Sequence, residues 1–193
     1  MKTLKNREEY IKELQGILPK NPICMEIGVH LGGFSRFLLD NLNPQKLHLI
    51  DPFENAIDPI SQQAIYNELQ IKTVYSDERC LNEVKKLLSN EIEQDIVSIN
   101  RKLSNEALSD YEDESLDFVY IDACHLYESV RWDLENYIHK VKKGGYIGGH
   151  DYFPHADFGV IKAIDEFCAN NDYEIILLVE PTQHGDWLLS AKK

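Results

Sequence analysis

The sequence predicts an α/β fold of the Rossmann-like kind, a three-layer sandwich around a mostly parallel seven-stranded sheet that closes with a C-terminal antiparallel hairpin. Three observations predict it. Short apolar runs of strand length alternate with amphipathic helical segments from residue 6 to about residue 171. Several of those runs stop at Gly or Asp, residues that serve the loops at the carboxyl ends of parallel strands. The last two runs, Tyr173–Val179 and Asp186–Ser190, are separated by a short polar turn at Pro181–Gly185, which reads as a hairpin. Strand–helix alternation requires crossover connections, and crossovers make parallel pairs.

The elements follow in order. Residues 6–17 carry Tyr10, Ile11, Leu14 and Ile17 at helical spacing, so residues 1–20 are read as an N-terminal helix. Strands are expected at Ile23–Ile27, Leu47–Ile50, Ile96–Ile99, Leu116–Ile121 and Tyr146–Gly149. Helices fall between them at 33–41, 77–90 and 126–142, with a short one opened by Ser104 and a further one at 159–171. Lys143-Gly144-Gly145 is expected to end the 126–142 helix, since glycine tolerates the left-handed C-cap. Residues 53–76 are the least regular stretch. With Phe53, Ile57, Ile60, Ile65 and Tyr66 directly after a strand, they form either a lid over the cleft or a surface helix.

Length and composition bound the function. A chain of 193 residues with 43% hydrophobic residues suits a single domain, 1–193, with one continuous core. The 33 acidic against 20 basic residues give a formal charge of −13, and no basic run interrupts the acidic balance. Phosphate backbones are bound by clustered Lys and Arg, so nucleic acid is not the expected partner. No apolar stretch follows the N-terminal charges, and none is long enough for a membrane span, so the expected location is the cytoplasm. Cys24, Cys80, Cys124 and Cys168 form no Cys-x-x-Cys pair; Cys24 and Cys168 lie in apolar patterns and are read as buried thiols.

The loops after the strands carry the chemistry. Glu26-Ile-Gly28-Val-His-Leu-Gly32-Gly33-Phe-Ser35 is a glycine-bearing strand-to-helix turn in which the backbone can approach a ligand. It is not Gly-x-Gly-x-x-Gly, so the dinucleotide fingerprint is absent. A bare connecting turn would look the same. What separates the two is Asp51, about 20 residues further on at the next strand end, where a carboxylate can hold a ribose diol. Asp122 and His125 follow the fourth strand, and His150, Asp151 and His155 follow the fifth. Carboxylates and imidazoles that converge on one cleft can hold a divalent cation or move a proton.

Taken together, Glu26-x-Gly28-x-x-x-Gly32, Asp51, Asp122-x-x-His125-x-Tyr127 and Lys143-Gly-Gly-x-x-x-Gly-His150-Asp151-Tyr152 resemble class I S-adenosylmethionine-dependent methyltransferases. The resemblance spans about residues 20–190. It leans towards the small bacterial family related to the macrolide sugar O-methyltransferases and the cephalosporin-cluster methyltransferases. It implies that Gly28, Gly32 and Ser35 line the cofactor, that Glu26 orients the loop or the methionine amino group, and that Asp51 holds the ribose. It further implies Ser104 at the adenine edge, Asp122 beside the cofactor, and Asp122, His150 and Asp151 as ligands of a divalent metal such as magnesium. His150 stands where those relatives carry a carboxylate, and magnesium prefers oxygen; another ion, or none, is the alternative. His125 is the expected catalytic base and His150 the second candidate.

The expected reaction is S-adenosylmethionine-dependent O-methylation of a small-molecule hydroxyl, sugar or natural-product in type. The expected partner is a small-molecule acceptor, with no nucleic acid and no membrane, and a homodimer is compatible with the sequence. Two other classes stay open: a metal-dependent hydrolase using the Asp/His cluster, and a catalytically silent adenosylmethionine-binding module.

Overall fold

The computed structural model describes residues 1–54, 77–155, 158–180 and 185–191. Its centre is an eight-stranded sheet built from β1 (Lys2–Leu4), β2 (Ile23–Ile27), β3 (Lys46–Ile50), β4 (Val97–Asn100), β5 (Leu116–Ile121), β6 (Val141–Gly149), β7 (Tyr173–Val179) and β8 (Trp187–Ala191). The order across the sheet is β1-β7-β8-β6-β5-β2-β3-β4. Every pair is parallel except those made by β8, which runs against both β6 and β7. The central strands are buried on both faces, which is why they read as mostly apolar runs in the sequence.

Helices cover both faces. On one lie α1 (Arg7–Ile17), α2 (Gly33–Leu42) and α3 (Glu78–Leu87), followed by the short α4 (Ser89–Glu93). Tyr10, Leu14, Leu38, Leu81 and Val84 of these helices meet Cys24, Leu47, Leu49, Phe118 and Tyr120 of the sheet. On the other lie α5 (Ser104–Ala107), α6 (Tyr127–Tyr137) and α7 (Val160–Asn170). There Val130, Leu134, Ala163, Ile164 and Phe167 meet Met25, Ile27, Val119, Ile121 and Ile147. Successive residues of β2 and β5 thus feed opposite cores, as the two-residue period of a strand requires.

The structure departs from the sequence reading in four places. The sheet has eight strands rather than seven, because Lys2–Leu4 pairs in parallel with β7 before the N-terminal helix begins. Helix α6 stops at Tyr137 and a 3₁₀ turn at Ile138–Lys140 leads directly into β6. Gly144 and Gly145 therefore lie within a strand, with Gly144 at φ +82°, and not at a helix cap. The reason is pairing: Val141 is opposite Leu116 and Tyr146 opposite Phe118, so the two glycines span an irregularity between them. Cys80 is buried where Cys168 is only half-buried, and no disulfide joins any of the four cysteines. Of the expected lid at 53–76, Phe53 is buried and Glu54 exposed, and residues 55–76 lie outside the described residues.

Candidate active site

Residues at the carboxyl ends of β2, β3, β5 and β6 meet along one edge of the sheet. At the end of β2, Gly28 adopts φ +88°, and a Cβ there would lie 2.1 Å from the carbonyl oxygen of Asp122. The loop after β2 thus presses against the loop after β5 as only glycine allows. Asp51, at the end of β3, fixes this loop. Its Oδ2 accepts the N–H groups of Val29 at 2.9 Å and His30 at 3.0 Å, and its Oδ1 accepts that of Phe53 at 2.7 Å. The buried Asp51 is in the first instance a brace for the glycine loop. His30, Phe53 and Asp151 all have positive φ without being glycine, and each sits in a loop at this edge. Such strain persists where surrounding structure enforces it, and it gathers at functional sites.

Glu26 points into the same region from β2. It is buried, and its carboxylate accepts the hydroxyl of Ser35, the third residue of α2. Burial raises its pKa well above the usual carboxylate range against the opposing Ser35 hydrogen bond, and the nearby Asp122 and Asp51 add to the rise. Ser35 is itself fully buried, so it supports Glu26 rather than facing the cleft. Ser104 opens α5, and its carbonyl accepts the hydroxyl of Tyr137 at 2.7 Å.

The second half of the site is the acid–imidazole cluster. His125 Nε2 lies 2.8 Å from Asp151 Oδ2 and 3.8 Å from Asp122 Oδ1. His150 Nδ1 lies 3.2 Å from Asp151 Oδ1 and 3.9 Å from Asp122 Oδ1. Burial opposes the charged form of His125, but Asp122 and Asp151 outweigh it and lift its pKa to about 9. The same balance raises His150, and the two imidazoles hold Asp151 well below the usual carboxylate range despite its burial. Asp151 keeps a strained positive φ that its neighbours must enforce, and Trp187 Nε1 donates to the carbonyl of His150 at 2.9 Å.

The sequence reading joined Asp122, His150 and Asp151 as metal ligands. The structure brings ligand atoms of Asp122, His125 and Asp151 within 4.8 Å of one another, so His125 stands in the cluster where His150 flanks it. His125 Nε2 is buried with no aligned hydrogen bond, its 2.8 Å approach to Asp151 being off the N–H direction. A nitrogen so placed between two carboxylates suits a divalent cation. Two carboxylates and an imidazole form a donor set fitting manganese or zinc at least as well as magnesium. The acidic wall of Glu26, Asp51, Asp122 and Asp151 suits a cofactor that carries an ammonium and a sulfonium.

Sequence reasoning missed several residues that shape this edge. Arg7, at the start of α1, reaches Asp186, Tyr120 and Phe34. Asp133 of α6 is buried beside Ser104, with Oδ1 making no hydrogen bond among the described residues and its pKa pushed up to about 6 chiefly by burial. Its signal was available: Asp133 falls on the stripe of Val130, Leu134 and Tyr137. Arg7 had none, since its hydrogen-bond partners lie more than 100 positions away.

This edge and this sheet order define a class, the Rossmann-like methyltransferase domains. A family model described as a methyltransferase domain matches residues 25–152, more than half of the chain, and the chain belongs to that family. Solved structures share the fold at low identity. The O-methyltransferase NovP superposes with a TM-score of 0.69 at 20% identity, over 97% of this chain and 80% of that one. A Streptococcus mutans methyltransferase in complex with SAH gives 0.66 at 13%, over 97% and 99%. An rRNA methylase from Streptococcus thermophilus gives 0.66 at 13%, over 98% and 99%. A curated relative, the uncharacterised Sinorhizobium fredii protein y4gI, is 41% identical over 51 residues, which are 26% of this chain and 6% of that protein.

Proposed function

We propose that this chain transfers the methyl group of S-adenosylmethionine to a hydroxyl of a small molecule. One observation carries the reading: Gly28 places the glycine loop against the Asp122 carbonyl, so that a nucleoside held by that loop is adjacent to the Asp122–His125–Asp151 cluster. The bound cofactor supplies an electrophilic methyl on a sulfonium. The residues supply the rest. Gly28 and Gly32 give the loop the positive-φ turns with which its backbone borders the methionine and ribose, Glu26 faces the ammonium, Asp51 shares its carboxylate between the loop and the ribose, and Ser104 borders the adenine.

For the acceptor, the His125 imidazole, flanked by Asp122 and Asp151, takes the hydroxyl proton. The carboxylates of Asp122 and Asp151 stabilise the imidazolium that results and lift its pKa to about 9, so the neutral base is populated as the pH rises towards that value. A divalent cation would be held by Asp122, Asp151 and His125 and would supply charge that acidifies a nearby hydroxyl. Proton removal would then fall to His150. The acidic balance of the chain supports a small acceptor over RNA, although both O-methyltransferases and rRNA methylases share the fold.

Transfer of labelled methyl from S-adenosylmethionine to a panel of sugars and phenols tests the reading. His125→Ala should lower turnover at least about a hundredfold. Turnover within about threefold of the unaltered protein would remove His125 from the reaction. Chelation separates the two routes: activity lost to a chelator and restored by manganese assigns the cation, and unchanged activity leaves His125 acting alone.

A further inference from the structure

We propose that Arg7 binds the α-carboxylate of the cofactor's methionine end, opposite Glu26 on its ammonium. The inference rests on the S-adenosylmethionine reading above and assigns to one side chain a role that no motif marks.

The geometry begins in the sheet. Glu26 of β2 is the register partner of Tyr120 of β5, so both side chains leave the same face side by side. Phe34, in the first turn of α2, stacks on the Tyr120 ring with centroids 3.8 Å apart. Arg7 lies over the Phe34 ring at 4.9 Å. Its Nη2 is 3.3 Å from the Tyr120 hydroxyl, and Nε and Nη2 form a two-pronged pair with Asp186 at 3.0 and 2.8 Å. The guanidinium is therefore fixed in plane by an aromatic ring, a phenol and a carboxylate. Arginine placed this way has already lost the rotamer freedom that anion binding would otherwise cost.

The remaining edge of the guanidinium is free to act. Among the described residues Nη1 of Arg7 makes no hydrogen bond, and the side chain is 36% exposed while that of Asp186 is 2% exposed. Among the described residues the charge of Arg7 opposes those of Asp122 and Asp51 at buried Glu26. An amino acid presents an ammonium and a carboxylate on a single carbon. A buried acid beside a half-exposed, pre-oriented guanidinium complements that pair, and an edge otherwise lined by Glu26, Asp51, Asp122 and Asp151 would repel the carboxylate without it. Asp186 takes part of the Arg7 charge, which limits the expected effect to ten- to a hundredfold in affinity.

Calorimetric titration of the full chain with S-adenosylhomocysteine and with 5′-methylthioadenosine tests this. The second ligand keeps the nucleoside and the sulfur but lacks the amino-acid end. Arg7→Gln should weaken S-adenosylhomocysteine at least tenfold and shift 5′-methylthioadenosine less than twofold, with Arg7→Lys between. Equal weakening of both ligands would make Arg7 a structural tie to Asp186 and overturn the proposal, as would no weakening of either. Should Arg7→Gln fail to fold, the unaltered protein decides: S-adenosylhomocysteine should bind at least tenfold more tightly than its decarboxylated analogue, and equal affinities would sink the idea. Unaltered protein that binds neither nucleoside would overturn the cofactor reading itself, a result distinct from tight binding that is indifferent to Arg7.

Discussion

His48 projects from β3 with Nδ1 2.8 Å from Ser98 Oγ and its ring edge-on to Tyr111, centroids 5.0 Å apart. Burial, aided by Lys46, pushes its pKa down to about 4. A histidine whose folded pKa lies below its ordinary value contributes stability that is complete above about pH 6.5 and is lost as the pH falls towards 4. The His48 contribution should therefore fall across that window by about 1–2 kcal/mol after allowance for partial exposure, read as the difference in unfolding free energy from His48→Gln because buried Asp133 and Glu26 titrate in the opposite sense. A difference that stays constant across the window would mean that His48 is not the group responsible. Glycines give a paired test at the same scale. Gly28→Ala meets the Asp122 carbonyl and a positive φ, and should cost about 3 kcal/mol or more together with cofactor affinity. Gly16→Ala in exposed helix α1 meets nothing within 4 Å and should stabilise by about 0.5–1 kcal/mol.

Elements were legible where burial on both faces left a continuous apolar run. Ile23–Ile27 and Leu116–Ile121 were readable to the residue, because a central parallel strand is buried on both faces, and Tyr173–Val179 was readable from its Ile175–Val179 run. β1 escaped notice because a three-residue edge strand with one buried side chain, Leu4, leaves no pattern. The start of β6 escaped because Lys142, Lys143, Gly144 and Gly145 have the composition of a helix end, and only the Lys142–Asp117 pair at 2.9 Å and the register with β5 show otherwise. The strand-end residues of the site were legible for a topological reason, since parallel strands deliver their carboxyl ends to one edge. Which imidazole enters the cluster was not, because it depends on the strained turn at Asp151. Short as it is, β1 carries a prediction: Leu4→Ala should destabilise by about 2–3 kcal/mol in chemical unfolding, and a loss below 0.5 would show that β1 frays without consequence.

For the molecule as a whole, charge and topology make separate statements. No helix among the described residues is long and apolar enough to cross a membrane. The net charge of −13 predicts that structured RNA at about 150 mM salt is not retained in filter binding at micromolar protein, and retention would revive the rRNA-methylase comparison. The topology binds the two ends of the chain to each other. β1 pairs with β7, Tyr10 donates to the Trp187 carbonyl at 3.0 Å, and Arg7 grips Asp186 across a separation of 179 positions. During synthesis on the ribosome, helix α1 and the glycine loop are made well before β8, which inserts between β6 and β7 after every other described strand has been made. Until Trp187 emerges, His150 lacks the indole that holds its carbonyl, and Arg7 has no carboxylate to fix its fork. A nascent chain halted before residue 186 therefore holds most of the sheet but not a finished cofactor edge, and competence arrives in a single late step as the hairpin closes.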